Sequence, residues 1–287
     1  MKKLYSFILI FVLIFSLCAC NYVNLKNELP VPEGSSFAVH YIDVGQADSA
    51  LVLCDNKTML IDGGNTDDSS LLVSYLKKMG INYLDYVICT HAHEDHVGGL
   101  SGALSYANAG RVFAPESESD SKAYRNFKKK VLAQGLKIEH PIDGDEFTLG
   151  SSNVQILGPV YEDEDDLNNT SIVLKITYGK TSFLFTGDAE RVEENDIIDE
   201  GYDLSATVLK VGHHGSETSS SYRFLREVMP EYAIISVEKD NSYGHPHKEP
   251  LSRLKDVGAE IYRTDECGDI IAESDGITVK IHTEKGA

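Results

Sequence analysis

The 287-residue chain is short of cations: 26 Lys and Arg stand against 45 Asp and Glu, for a formal net charge of −19. Nonspecific affinity for nucleic acid rests on cationic neutralisation of phosphates, so a surface of this kind repels long polyanions and does not hold them by charge. The run Glu162-Asp163-Glu164-Asp165-Asp166 concentrates that repulsion in one loop. Cysteine is scarce as well. Beyond Cys18 and Cys20 only Cys54, Cys89 and Cys267 occur, odd in number and widely spaced. Cys54 and Cys89 sit in apolar strand-like runs, so buried free thiols are expected in place of a disulfide framework.

A long apolar run occurs at the N-terminus, from Leu4 to Leu17 after Met1-Lys2-Lys3. As a helix it covers about 21 Å at about 1.5 Å per residue, short of the roughly 30 Å hydrocarbon core, so it reads as a signal peptide and not as a span. It ends in Leu17-Cys18-Ala19-Cys20, which resembles a bacterial lipobox, a small residue before a cysteine that is lipidated when the leader is cut. Residues 1–19 are therefore expected as a lipoprotein signal peptide and Cys20 as the lipidated mature N-terminus. Residues 20–35, polar with Pro30 and Pro32, are expected as a tether. The protein is expected outside the cytoplasm of a bacterial cell, anchored to its membrane. Loss of Lys2 and Lys3 with the leader makes the charge still more negative. The remainder, residues 36–287, is long enough for one large α/β domain.

Short runs of Val, Ile and Leu alternate there with helical patterns. Strands are predicted at Phe37–Asp43, Ala50–Cys54, Thr58–Asp62, Tyr83–Thr90, Val154–Leu157, Ser171–Thr177, Ser182–Thr186, Ala206–Val211, Tyr232–Val237 and Ile277–His282. Helices are predicted at Asp68–Met79, Val97–Tyr106, Ser121–Ala133, Ala189–Ile198, Ser219–Val228 and Pro250–Val257, with Gly80 after Lys77-Lys78-Met79 as an example of a stop. Two halves, divided near Gly150, each begin with consecutive strands and then mix in helices. This predicts two sheets packed face to face with helices outside.

The densest chemistry is Thr90-His91-Ala92-His93-Glu94-Asp95-His96-Val97-Gly98-Gly99, directly after the apolar strand Leu84–Cys89. Imidazole and carboxylate are good ligands for zinc, manganese or iron, and a loop at a strand end lets several converge. His91 and His93, at alternate positions of an extended segment, can point to one side, while Asp95 and His96 sit where a helix begins and can serve a second metal. Packing these four residues together without a metal would be very costly.

The signature His91-x-His93-x-Asp95-His96 resembles that of the metallo-β-lactamase superfamily, and the resemblance extends over nearly the whole chain after the leader. It implies an α/β fold, the four-layer αβ/βα sandwich of two mixed sheets with helices outside. Ile42-Asp43-Val44-Gly45-Gln46-Ala47-Asp48-Ser49 is similar to the opening motif of the subgroup related to the C-terminal domain of the competence protein ComEC, with Ala47 where that subgroup usually has Gly. Its turn brings Asp48 near the histidine loop, with Asp43 and Gln46 as neighbouring polar groups. Asp62, in Ile61-Asp62-Gly63-Gly64, is expected to orient the histidine loop by hydrogen bonding without touching metal. Asp188, in Phe185-Thr186-Gly187-Asp188, matches the carboxylate that bridges cations about 3.5 to 4 Å apart in relatives.

The third motif departs from the superfamily. The one histidine between the first cluster and Asp188 is His140, far from a suitable strand end, and Asn168-Asn169-Thr170-Ser171 stands where the ComEC-like subgroup has a polar Asn. The first metal site is therefore expected to be poor in ligands, leaving one or two divalent ions, Zn²⁺ or Mn²⁺. Leu209-Lys210-Val211-Gly212-His213-His214-Gly215-Ser216 looks like the subgroup's Lys-x-x-His-His-Gly-Ser. His213 or His214 is expected as a metal ligand or a proton donor to the leaving oxygen, and Lys210 as balance for phosphate charge. In Asn241-Ser242-Tyr243-Gly244-His245-Pro246-His247, His245 matches the superfamily's late histidine ligand and His247 is expected to shape the pocket.

The resemblance implies hydrolysis by metal-activated water, which needs neither a serine nor a cysteine nucleophile. The expected substrate is a phosphodiester: DNA for a phosphodiesterase or nuclease of the ComEC-like type, or a smaller ester such as a choline-phosphate decoration on a surface polymer, which the acidic surface suits better. Lactam or thioester hydrolysis and a non-catalytic, metal-stabilised binding lipoprotein are the competing classes, since one scaffold hosts many activities. ComEC joins its hydrolase domain to a membrane transport region. This chain shows only the leader run, so a role in uptake would need a separate partner, and nothing in the sequence identifies one.

Overall fold

The computed structural model describes residues 36–161 and 166–286. The expected signal peptide, Cys20, the tether and Glu162 to Asp165 of the acidic run lie outside the described residues. The strands are β1 (Phe37–Tyr41), β2 (Ala50–Cys54), β3 (Lys57–Ile61), β4 (Tyr83–Ile88), β5 (Asn108–Phe113), β6 (Ile138–Glu139), β7 (Glu146–Leu149), β8 (Ser152–Gly158), β9 (Val173–Tyr178), β10 (Thr181–Phe185), β11 (Val208–Lys210), β12 (Tyr232–Ile235), β13 (Glu260–Arg263), β14 (Ile270–Ser274) and β15 (Val279–Thr283). The helices are α1 (Ser69–Lys78), α2 (Glu94–Val97), α3 (Leu100–Tyr106), α4 (Lys122–Ala133), α5 (Arg191–Glu200), α6 (Tyr222–Val228), α7 (Lys248–Asp256) and α8 (Thr264–Cys267).

Two mixed sheets form, in the order β15-β14-β1-β2-β3-β4-β5-β6 and β13-β12-β11-β10-β9-β8-β7. In each, hairpin-connected antiparallel strands give way to parallel ones: β1 to β3 lead into β4, β5 and β6, and β7 to β10 lead into β11, β12 and β13. The inner faces meet in one core that includes Phe37, Val39 and Tyr41 of β1, Ile61 of β3, Leu174 and Ile176 of β9, and Phe183 and Phe185 of β10. The outer face of the second sheet buries Leu184, Leu209 and Ile235 under Ile197 of α5, Phe224 and Leu225 of α6 and Leu254 of α7. On the first sheet, His40 of β1 points the other way and bonds Tyr75 of α1 through Nδ1 at 2.8 Å. Strands covered on both faces read as continuous apolar runs, which is why FAVHY is buried throughout.

Local chemistry sets the helix ends. Ser121 and Ser221 accept the amides of Tyr124 and Phe224 at the starts of α4 and α6, and Gly201 ends α5 in the left-handed region at φ 79°. The expected sandwich forms, but the division near Gly150 is corrected in two ways. The second sheet already begins at Glu146, and β14 and β15 return to the first sheet, where β14 pairs with β1. That return covers a central strand whose free edge would otherwise expose its peptide groups. Strands β5, β6, β7, β13 and β14 were not predicted: β6 has two residues, and β5 carries Gly110 and Arg111, which break its apolar pattern.

Strand direction places the chemistry. The segments bearing Asp62, the His91 to His96 loop, Asp188, the His213-His214 turn and His245 follow β3, β4, β10, β11 and β12, strands joined to parallel neighbours. Carboxyl ends of parallel strands open together at one edge, the usual place for a ligand cleft in such folds.

Candidate metal centre

Asp62 takes the strained left-handed conformation, φ 58°, directly after β3. Its fully buried carboxylate accepts the Thr90 amide at 2.8 Å and the Thr90 hydroxyl at 2.7 Å, and lies 2.8 Å from His96 Nδ1. The histidine loop is thus held from behind, and His96 Nε2 is turned into the cleft. Gly63 and Gly99 let the loops touch: a Cβ on Gly99 would sit 2.0 Å from the Gly63 carbonyl oxygen.

Asp188 lies at the centre. Its Oδ1 is 3.3 Å from His96 Nε2, and its Oδ2 is 4.0 Å from His91 Nε2, 3.7 Å from His213 Nε2 and 3.8 Å from His214 Nε2. Its amide donates to Ser171 Oγ at 3.0 Å, and Gly187, at φ 50°, lets the turn press against Ser171 and Thr90 where a Cβ would collide. His214 donates Nδ1–H to the Ser236 carbonyl at 3.0 Å, which leaves Nε2 facing Asp95 Oδ2 at 3.4 Å. His213 and His214 both adopt left-handed backbone, φ 49° and 52°, at a cost of order 1–3 kcal/mol each that the surrounding turn must impose.

The donor set tests whether a cation fits. Ligand atoms of Asp95, His96, Asp188 and His214 all lie within 4.8 Å of one another. Three of these atoms, His96 Nε2, Asp188 Oδ1 and His214 Nε2, are buried and without a hydrogen-bond partner. Buried polar atoms of this kind are costly unless something satisfies them, and a divalent cation does. Electrostatics point the same way. Burial disfavours charge on His96, yet Asp188, Asp62 and Asp95 hold its proton affinity well above the ordinary imidazole range, so the pocket demands a positive charge. His91 goes the other way: burial and the neighbouring His96 push it well below that range, keeping it neutral. A second, thinner set lies alongside, with His91 Nε2 3.0 Å from His93 Nδ1 and reaching Asp188.

Several expected site residues stand elsewhere. Lys210 is buried 2.8 Å from Asp48 and also donates to the Val211 carbonyl, so its amine balances Asp48 and not a substrate phosphate. Asp48, Asp62 and His96 also converge, but Lys210 already supplies the cation there. Asp43 accepts the Gly45 amide at 3.3 Å and lies 3.7 Å from Lys285, shaping the turn and not the cleft. The Asn169 amide is spent on Glu190 N and Asp166 within its own loop. His140 bonds the Ala114 carbonyl. His245, expected as a ligand, is outside the convergent four: its Nδ1 is 3.4 Å from Gln46 Nε2, and its ring lies 5.6 Å from that of His213 and 6.4 Å from that of His214. Burial and His213 lower it to about 4, leaving a neutral ring at the rim. His247 accepts the Glu217 amide at 3.0 Å and meets His245 edge-on.

Sequence reasoning passed over Thr90 and Glu190. Glu190 faces His213 Nδ1 at 3.2 Å and accepts from Thr218 Oγ1 at 2.9 Å, which aims the half-buried ring at the cleft. A single Thr before a histidine, or a Glu two residues after an Asp, carries no spacing signal.

Comparison with known proteins adds the lineage. The model of the family described as the metallo-beta-lactamase superfamily matches residues 42–238. The chain is 32% identical over 250 residues to "ComE operon protein 3" of Bacillus subtilis, covering 81% of this chain and 32% of that one. It is 31% identical over 254 residues to "Competence protein ComA" of Neisseria gonorrhoeae, covering 88% and 34%. The chain thus spans about a third of the length of these curated relatives. Among solved structures, the metallo-beta-lactamase fold protein YhfI from Bacillus subtilis superposes with a TM-score of 0.56 at 14% identity, covering 83% of this chain and 100% of that one, a likeness of fold.

Proposed function

Because the chain belongs to the metallo-beta-lactamase superfamily and carries a metallo-hydrolase's His/Asp cluster, we propose that it is a phosphodiesterase. The observation that carries the reading is the convergence of Asp95, His96, Asp188 and His214 with unsatisfied buried atoms, in a chain about 31–32% identical to competence proteins. These four residues would hold one divalent cation, and His91 and His93 with Asp188 a second, weaker one. The thiolate-free set of imidazoles and carboxylates suits Zn²⁺ or Mn²⁺. When bound, such a cation supplies Lewis acidity, polarising a phosphoryl oxygen and acidifying water.

The chain's own groups do the rest. Asp95, about a third exposed at the mouth, is held ionised by His96 and His214 against the effect of burial, and it orients the attacking water as an acceptor. His213 is the proton donor to the leaving oxygen. Burial lowers its proton affinity, but Glu190 and Asp188 more than restore it and raise it above its ordinary value, which favours the protonated ring that a donor needs. Its Nδ1 is engaged by Glu190, which leaves Nε2 to face the cleft.

Hydrolysis of bis-p-nitrophenyl phosphate and of single-stranded DNA with added Mn²⁺ or Zn²⁺, beside Asp188→Ala, tests this reading. We expect metal-dependent turnover that falls at least about a hundredfold in the variant, because an interaction that stabilises transition-state charge is worth on the order of 10²–10³. Turnover surviving in the variant, or confined to a lactam, would sink the proposal. The proposed location is outside the cytoplasm, through a lipid on Cys20; it is supported by the sequence Leu17-Cys18-Ala19-Cys20. Labelled palmitate should enter the wild-type chain and not Cys20→Ser, and equal labelling of both would refute the anchor.

A further inference from the structure

An exposed aromatic ring stands at the mouth of the cleft. Tyr243 is 67% exposed, and its ring stacks on that of His245, with centroids 5.6 Å apart and an interplanar angle of 22°. His245 in turn lies beside His213. The loop that presents the pair is built rigidly around one side chain. Asn241 Oδ1 accepts the amides of Tyr243 and His245 at 3.1 and 3.0 Å, while its Nδ2 donates to the carbonyls of Glu238 and His245 at 2.9 and 2.6 Å. Gln46 ties the loop to the opening turn, accepting the Glu238 amide at 3.3 Å and lying 3.4 Å from His245 Nδ1. A core aromatic would be buried; this one is held firmly and left open.

We propose that Tyr243 is a stacking platform for a base attached to the scissile phosphate, so that the substrate is a nucleoside phosphodiester recognised by its planar ring. The inference rests on the phosphodiesterase reading above. One face of Tyr243 is already covered by the His245 imidazole, so a third ring extends an existing stack. Aromatic cages for quaternary ammonium surround the cation with several faces, and here a single face is open. Charge does not replace stacking. The groove of about 650 Å³ beside the shelf sets Lys239 and Arg263 against Asp240, Asp265 and Glu266, and Arg263 is already paired with Asp265 and Glu266. A base stacked on an aromatic side chain binds with little regard to sequence and without cationic tracking of the backbone. This reconciles a phosphodiesterase with a net charge of −19.

The test compares kcat/KM of the metal-loaded protein for three p-nitrophenyl esters: thymidine 5′-phosphate, ethyl phosphate and phosphorylcholine. The thymidine ester should be preferred over the ethyl ester, and Tyr243→Ala should cut that preference about tenfold or more, through KM, while Tyr243→Phe keeps it. A preference unchanged in Tyr243→Ala overturns the proposal, as does a loss confined to the phosphorylcholine ester. Should the wild-type protein turn over none of the three, the phosphodiesterase reading fails by itself. Calorimetry with thymidine 5′-monophosphate then decides the shelf: binding weakened in Tyr243→Ala upholds it, and no binding overturns it.

Discussion

Lys210 and Asp48 form an ion pair 2.8 Å apart that is almost wholly withdrawn from water, beneath the turn that carries His213 and His214. Breaking a buried pair from one side strands a charge, which costs about 3–5 kcal/mol, whereas removing both charges is often near neutral. Lys210→Met is therefore expected to lose about that much stability in urea unfolding, and adding Asp48→Asn should recover most of it. A single variant as stable as the wild type would return Lys210 to the substrate side of the cleft. His96 shows the same logic around a ligand, since Asp62 fixes one ring nitrogen so that the other is presented.

At the scale of the element, α5 brings a carboxylate into the second core. Glu193 is 2% exposed, and one of its oxygens accepts the Val160 amide at 2.9 Å. Burial pushes its pKa from 4.5 up to about 8, opposed by that hydrogen bond. The folded protein keeps the proton over this range while the unfolded chain gives it up. Its contribution to stability is thus fully present below pH 4.5 and is lost as the pH rises to about 8. Glu193→Gln keeps the acceptor and removes the ionisation. Melting temperatures of the two proteins should agree at the acid end and diverge toward pH 8, with the variant higher; parallel curves would show that Glu193 ionises freely in the fold.

At the scale of the whole molecule, the charge of −19 acts on any polyanion that approaches. Raising ionic strength from about 0.01 M to about 0.15 M shortens the screening length from about 30 Å to about 8 Å. Cleavage of single-stranded DNA should therefore speed up with added salt, opposite to a basic nuclease, while hydrolysis of bis-p-nitrophenyl phosphate changes little. Inhibition of the DNA reaction by salt would reveal a cationic track that the surface charge does not suggest.

How much of this was legible in the chain follows from the range of the interactions involved. The sandwich, the apolar strands and the turns rich in His, Asp and Gly were readable because burial periodicity and ligand clustering are local; His91 to His96 need six consecutive residues and no fold. The return of β14 to β1, which pairs Phe37 with Ser274 and Tyr41 with Ile270 from opposite ends of the domain, is a non-local pairing with no local mark. The same holds within the cleft. The sequence left the roles of His213 and His214 interchangeable and offered Lys210 and His245 to the cleft as well, and packing divided them: Lys210 was taken by Asp48, His214 was turned inward by Ser236, His213 was aimed by Glu190, and His245 was left at the rim under Tyr243. The sequence by itself determined which kinds of ligand the protein carries, because side-chain chemistry belongs to the residue. Tertiary structure alone decided which of them converge, because distance and desolvation arise only when separate strands end at one edge.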